Sequence, residues 1–250
     1  MPFTIEEQSS SIYLKNILKE QTHTLNGQTI QSIDRYGKFL IFNLKNDQTI
    51  LSHLGMSGSW RISENPLSEK HVHLILKGSE HYLSYVDPRR FGRLYFVSQS
   101  RAQEFIEKLG VDISRPNFTS EYLHEIFQKK SECIIKPLLL DQKIFAGIGN
   151  YIACELLARA GINPQRKVKT LTEKEITKII EGTQSVLEGS IKYQGLTFSG
   201  GYKDTDGSAG EGLKNLVVFH QEICGLCHKK KIKRIVQQGR STFYCSHCQK

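Results

Sequence analysis

From Thr29 to Met56 the chain reads TIQSIDRYGKFLIFNLKNDQTILSHLGM, with apolar and polar positions alternating along much of its length. That is the period of a strand with one buried face, and Asn46-Asp47 supplies a turn. HVHLILKGSEHYLSYV, residues 71–86, has the same texture with a turn at Gly78-Ser79, and RLYFV at 93–97 adds a further strand. Short strands at this spacing predict a sandwich or barrel. After residue 100 the period becomes helical. RAQEFIEKL closes on Gly110, a natural C-cap. SEYLHEIFQKK starts behind Thr119 and Ser120, both capping types. NYIACELLARA runs to Gly161 with Pro164 beyond, and Thr172 with Glu175 forms a capping box for a helix to about Gln194. Residues 195–212 hold six glycines and predict a long mobile loop. The pattern divides the chain into a β unit over 1–100, a helical unit over 101–222 and a terminal segment over 223–250: an α+β protein.

Composition narrows the setting. Of 250 residues, 38% are hydrophobic and 24% charged, so a folded core is expected rather than disorder. No apolar run reaches ~18 residues, which argues against a membrane span. MPFTIEEQSS does not read as a secretory signal. A reducing, cytoplasmic setting is the expectation, and there paired CxxC motifs indicate metal more often than disulfide.

Charge and cysteine converge on the last segment. Of the 34 basic residues, seven (Lys229, Lys230, Lys231, Lys233, Arg234, Arg240 and Lys250) lie in residues 223–250, which hold no acid; the other 27 nearly balance 25 acidic residues. A local positive field points to a polyanion, nucleic acid first, with a solubilising tail as the plainer reading. Cys224-x2-Cys227 and Cys245-x2-Cys248 each set two thiolates on one side of a tight turn, the arrangement that closes a tetrahedron around one structural Zn²⁺; a redox pair is the alternative. Cys133 and Cys154, alone in helical stretches, read as core. Between the pairs, KIKRIVQQGRSTFY predicts two strands joined at Gln238-Gly239, with Arg240 at the turn, placed to meet a phosphate.

Two further constellations stay open on spacing alone. Gly147, Gly149 and Asn150 precede a helix, which suits either a phosphate at the helix N-terminus or an ordinary turn and cap. HLGMSGSW and DPRRFGRLYF offer Met56, Arg89 and Phe91, which an isolated reading buries in the β core.

Taken together and in order, RYGKFLIF, HLGMSGS, DPRRFG, KPLLLDQKIFAGIGNYIACE, AGINP and the CxxC pairs with GRSTFYCSHCQ resemble the formamidopyrimidine-DNA glycosylase / endonuclease VIII family of base-excision repair enzymes, from about Leu25 to Lys250. The resemblance implies an N-terminal β-sandwich, a helix-two-turn-helix domain and a C-terminal zinc β-hairpin, with damaged double-stranded DNA as partner, a monomeric state and a nucleoid-associated location. It implies that Asn150 and Arg240 grip phosphates beside the lesion, that Lys143 also contacts DNA, and that Lys38 belongs to the active site. Met56, Arg89 and Phe91 then fill the gap left when the damaged nucleotide is flipped out.

The start departs from the family pattern. Pro2 is present, and its amine, once Met1 is removed, is the implied nucleophile at the sugar C1′. The family's catalytic Glu falls at Phe3, leaving Glu6 or Glu7 as substitute acid. Only about 24 residues precede LNGQTIQSIDRYGKFL, where the family carries a helix and a strand. The expected function is a DNA glycosylase with abasic-site lyase activity on oxidised bases. The alternative is a non-catalytic or lyase-only binder of damaged DNA; a zinc-ribbon RNA or ribosome protein leaves HLGMSGS and DPRRFG unexplained.

Overall fold

A computed structural model describes residues 2–11, 14, 18–21, 24–197 and 203–250. Its contacts divide the chain into two compact units, Met1–Lys108 with Tyr193–Leu213, and Leu109–Lys192 with Lys214–Lys250.

The first unit is a sandwich. One sheet has the order β1-β4-β5-β6-β10-β3, formed by β1 (Phe3–Thr4), β3 (Leu18–Gln21), β4 (Thr29–Tyr36), β5 (Phe39–Leu44), β6 (Gln48–His53) and β10 (Arg93–Ser98). The other has the order β2-β8-β9-β7, formed by β2 (Glu7–Ser10), β7 (Ser59–Ser63), β8 (Val72–Lys77) and β9 (Tyr82–Val86). Alternation delivers Phe42, Ile50, Trp60, Leu74, Leu76, Tyr85, Leu94 and Phe96 to the shared interior. The Trp60 indole donates to Ser52 Oγ at 2.9 Å, so burying its N–H leaves no orphan donor. Asn46 and Asp47 both adopt positive φ at the β5–β6 turn, as residues of that type tolerate.

Helix α1 (Gln99–Glu107) starts on Ser98, whose side chain accepts from Arg101 N. It covers the outer face of the larger sheet, where Leu51, Val97 and Ala102 form a second cluster. This helix therefore belongs with the sandwich, and the expected boundary at residue 100 moves past it. Nor does α1 close on Gly110. It ends on Lys108 in ordinary helical geometry, and Gly110 serves a close approach, since a Cβ there would lie 2.1 Å from Ile144 O.

The second unit holds α2 (Ser120–Lys129), α3 (Ile135–Leu139), α4 (Asn150–Ala160) and α5 (Glu173–Lys192), with a short parallel ladder of β11 (Val111–Asp112) and β12 (Phe145–Ala146). Thr119 caps α2 by accepting from Tyr122 N, and Gly161 closes α4 in the left-handed conformation at φ 74°. The capping box before α5 is present: Thr172 N donates to Glu175 Oε2 at 2.8 Å, and Glu175 N to Thr172 Oγ1 at 3.4 Å. Eight of the eleven residues of α4 are buried, and α5 packs on it through Gly182, where a Cβ would come within 3.0 Å of Leu156 O. Strands β13 (Lys233–Gln237) and β14 (Arg240–Tyr244) form the terminal hairpin across Gln238-Gly239, both at positive φ.

The glycine-rich stretch is not wholly irregular. Leu196 bridges Glu211, Asp204 Oδ1 accepts from Ser208 N at 2.7 Å, and Ile62 N on β7 donates to Thr205 O at 3.1 Å. The first two bonds order the stretch within itself and the third ties it to the sandwich, with which it is grouped; residues 198–202 of the expected loop lie outside the described residues. Cys154 is buried as expected, whereas Cys133 sits exposed in a turn. No helix among the described residues is long and apolar enough to cross a membrane.

Candidate nucleic-acid interface and metal centre

On the sandwich, the loops before β7 and before β10 form one hydrogen-bonded tip. Asp87 lies fully buried beneath it. Its carboxylate accepts from Ser57 Oγ at 2.6 Å and from Gly92 N at 2.8 Å, and Arg89 N donates back to Ser57 Oγ at 3.1 Å. The backbones almost touch, since a Cβ at Gly55 would lie 2.6 Å from Phe91 C. On this braced support Met56 is 58% and Phe91 53% exposed, with the Arg89 guanidinium 4.9 Å from the Phe91 ring centre. Burial of Met56 and Phe91 in the β core is thus overturned. Alternation sets which face of a strand is wet, but these residues stand on loops that strand period does not govern.

Lys38, half-buried at the β4–β5 turn, lines a cavity of about 290 Å³ with Arg35, His53 and Met56. His53 resists protonation here: burial first, then the nearby Lys38 and Arg93 cations, push its pKa below the usual histidine value. Its Nδ1 accepts from Gly55 N at 3.1 Å, which links the Lys38 cavity to the braced tip.

Pro2 and Glu6 do not join this group. Phe3 pairs with Ile30 at the start of β4, while Lys38 follows Tyr36 at its far end; at ~3.4 Å per residue Pro2 stands on the order of 20 Å from Lys38. Glu6 N donates to Lys77 O, and its exposed carboxylate lies 3.9 Å from Lys77 Nζ on the smaller sheet. Phe3 packs on the sandwich core, its ring filling the space over Gly78 where a Cβ would meet it at 2.6 Å. The expectation that Pro2, Lys38 and a nearby carboxylate converge is corrected by register: the segment that bears Pro2 is an edge strand.

In the helical unit, Asn150 occupies the first turn of α4. Its Oδ1 accepts from Lys136 Nζ at 2.8 Å and its Nδ2 donates to Ser241 O at 2.8 Å. Ser241 follows Arg240, so Asn150 ties the helix N-terminus directly to the hairpin turn. Lys136 is fully buried, and burial, with Arg240 adding to it, lowers its pKa. Gly149 caps the helix without a side-chain bond, so no capping side chain occupies the first-turn amides. Arg240 and Lys143 are exposed. The geometry brings Asn150, Arg240 and the helix end together as one cationic, donor-rich surface.

The four cysteines Cys224, Cys227, Cys245 and Cys248 place their Sγ atoms within 4.8 Å of one another. Cys224–Cys248 and Cys227–Cys245 are each 3.9 Å apart. Tetrahedral coordination with metal–sulfur bonds of ~2.3 Å requires sulfur–sulfur edges of ~3.8 Å, so the set fits a closed thiolate site. His228 and His247 stand outside the cluster. Two anchors seat this module. Buried Glu155 on α4 accepts from Val217, Val218 and Phe219 amides at 2.9, 2.9 and 2.8 Å. Buried Gln249 accepts from Cys245 N and donates to Ile162 O, both at 2.8 Å.

Asp87, His53, Lys136 and Glu155 were not singled out from sequence. A signal existed for two of them: Glu155 interrupts the apolar face of NYIACELLARA, and Lys136 the apolar IIKPLLL. A lone charge in such a run needs a partner, but the run does not name it.

Known proteins resemble the chain in both units. The family model for the formamidopyrimidine-DNA glycosylase N-terminal domain matches residues 5–94, and that for the H2TH domain of the same glycosylase matches 109–200. The first match starts after Pro2 and Phe3 and includes Lys38, Met56, Arg89 and Phe91. A formamidopyrimidine-DNA glycosylase of Bartonella quintana is 38% identical over 251 residues, covering 90% of this chain and 84% of its own. One from Listeria innocua is 37% identical, covering 92% and 85%. Among solved structures, the MutM (Fpg) protein of Thermus thermophilus superposes with TM-score 0.85 at 30% identity, over 100% of this chain and 92% of its own. Lactococcus lactis Fpg in complex with DNA containing N7-benzyl-Fapy-dG gives 0.87 at 30% identity, over 100% and 93%. Two domain matches in series and relatives at this identity over nine-tenths of the sequence carry one conclusion: the chain belongs to the formamidopyrimidine-DNA glycosylase family.

Proposed function

We propose that this chain works in base-excision repair as a damage-recognition protein of the DNA-glycosylase class, binding duplex DNA and extruding a damaged or abasic nucleotide. The observation that carries the reading is the braced tip. A buried carboxylate, a serine and two near-touching backbones are arranged to hold a methionine and a phenylalanine in water, which folding alone disfavours. Apolar wedges of this kind replace an extruded base in the stack. Asn150, Arg240 and the α4 N-terminus are the phosphate grip, with Lys143 and Lys38 as further cations. The cysteines hold one structural Zn²⁺, whose work is to fix the hairpin that carries Arg240. Relatives solved with abasic-site DNA support the same partner here.

A second reading concerns chemistry. A lyase step needs an amine that attacks the sugar C1′ and loses water to give an iminium. Pro2 lies far from Lys38 along β4, which favours recognition without Pro2-centred catalysis; Lys38 is the amine that shares a cavity with a residue of the tip. Borohydride trapping on abasic duplex, followed by peptide mapping, separates the cases. We expect no crosslink at the N-terminus. A crosslink at Lys38 makes the protein a lyase, and none makes it a binder; a crosslink at Pro2 would overturn this reading and return the proline to the centre.

A further inference from the structure

The loop that presents Asn150 has little to hold it from within. Gly147 and Gly149 flank Ile148, Gly147 has φ 103°, and Gly149 caps α4 without a side-chain bond. Two glycines in so short a loop give it many conformations to lose. Gln142, outside the loop, supplies two of the bonds that hold it. Gln142 Nε2 donates to Ile148 O at 2.8 Å and to Leu140 O at 3.0 Å, and Gly147 N donates to Gln142 Oε1 at 3.2 Å. Both amide hydrogens and the carbonyl are thus used on backbone, one partner before Gln142 and two after it. Gln142 is itself fixed, because its main-chain carbonyl accepts from Gly110 N at 2.9 Å. Ile148, fully buried, anchors the middle of the loop. With these points held, Asn150 enters the first helical turn with its side chain between Lys136 and Ser241.

We propose that Gln142 is a positioning residue for phosphate binding: its amide sets the shape of residues 147–150, and through it the aim of the Asn150 side chain. The inference rests on the phosphate-grip reading of Asn150. Only an amide performs all three bonds. A glutamate of the same shape would still accept from Gly147 but would turn acceptors on two carbonyls, and a methionine of similar length would make none of the bonds.

The test is affinity for a duplex containing a tetrahydrofuran abasic analogue, read by fluorescence anisotropy in the full-length, zinc-replete protein. Gln142→Met is expected to weaken binding about tenfold, the scale of one or two net hydrogen bonds. The Gly147 amide should exchange with deuterium faster in the free variant. In an Asn150→Ala background, Gln142→Met should cost little more, because the group it positions is gone. Full additivity of the two changes, or unaltered affinity in Gln142→Met, would overturn the proposal. Gln142→Glu repeats the measurement if the methionine variant does not fold. Asn150→Ala alone is the separate control: unchanged affinity there sinks the phosphate grip itself, whereas a loss there with none in Gln142→Met sinks only the role of Gln142.

Discussion

Phe91 shows how far a residue's role depends on where the chain stops alternating. A buried phenylalanine cut to alanine costs ~3–5 kcal/mol. Phe91 is half in solvent on a tip held by Asp87, so Phe91→Ala should cost less than about 1 kcal/mol by urea denaturation. Its preference for damaged over intact duplex should nevertheless fall. Glu155 is the opposite case. Its carboxylate satisfies three successive backbone amides in the interior. Glu155→Gln turns an N–H₂ toward some of them and should destabilise the protein by about 3 kcal/mol or more, measured by chemical denaturation. His53 gives a pH signature. Its folded pKa lies below its unfolded value of about 6.5, so between the two the unfolded chain binds more protons. Stability should therefore be level above pH ~6.5 and fall as pH drops below it, and His53→Gln should flatten that part of the curve. His73, buried against Asp87 O and shifted the same way, will keep part of the slope.

At the scale of elements, the hairpin depends on the metal and on two anchors. β13 and β14 bury only one strand's worth of side chains, with Phe243 and Tyr244 inward and most of β13 exposed or half-exposed. So small a ribbon is marginal alone, and coordination by four thiolates supplies what its core lacks. Chelation, or Cys245→Ser, should release the metal, detected by elemental analysis, and weaken DNA binding. The slope of log affinity against log salt should become shallower by about one for each phosphate that Arg240 no longer neutralises. The sandwich should keep its own unfolding transition, since its cores include none of these residues. A metal-free protein binding DNA with an unchanged slope would detach the hairpin from the interface.

The whole molecule is two units whose boundaries do not follow chain order. The stretch from Tyr193 to Leu213 leaves the helical unit, bonds to β7 of the sandwich and returns. The expected third segment, 223–250, is joined to the helices by Gln249 and by the Lys250 N–H that donates to Gly161 O at 3.0 Å, while Glu155 holds the residues that lead into it. The function proposed above draws on both units, each with its own set of groups assigned to DNA there. The part that fails to assemble is the one carried by the first strand, where Pro2 and Phe3 lie. Phe3→Glu, which a literal reading of the family pattern would favour as a restored acid, should here weaken the sandwich by placing a charge against Gly78 and the core, seen as a lower midpoint in thermal unfolding.

What the sequence determined by itself is whatever depends on neighbours a few residues apart. The β5–β6 turn at Asn46-Asp47, the cap at Thr119, the box at Thr172 and Glu175, the left-handed stop at Gly161 and the hairpin turn at Gln238-Gly239 are all local, and each stands where the residue types put it. The cysteine pairs were equally legible, because metal spacing is written in short intervals. The tertiary structure alone decided what joins distant positions: Pro2 at the opposite end of β4 from Lys38, Asp87 under the tip, Lys136 and Ser241 on Asn150, Glu155 beneath Val217 to Phe219. The reason is physical. Periodicity reports which face of an element is buried, not which element buries it, and a buried charge requires a partner without specifying from where along the chain that partner comes.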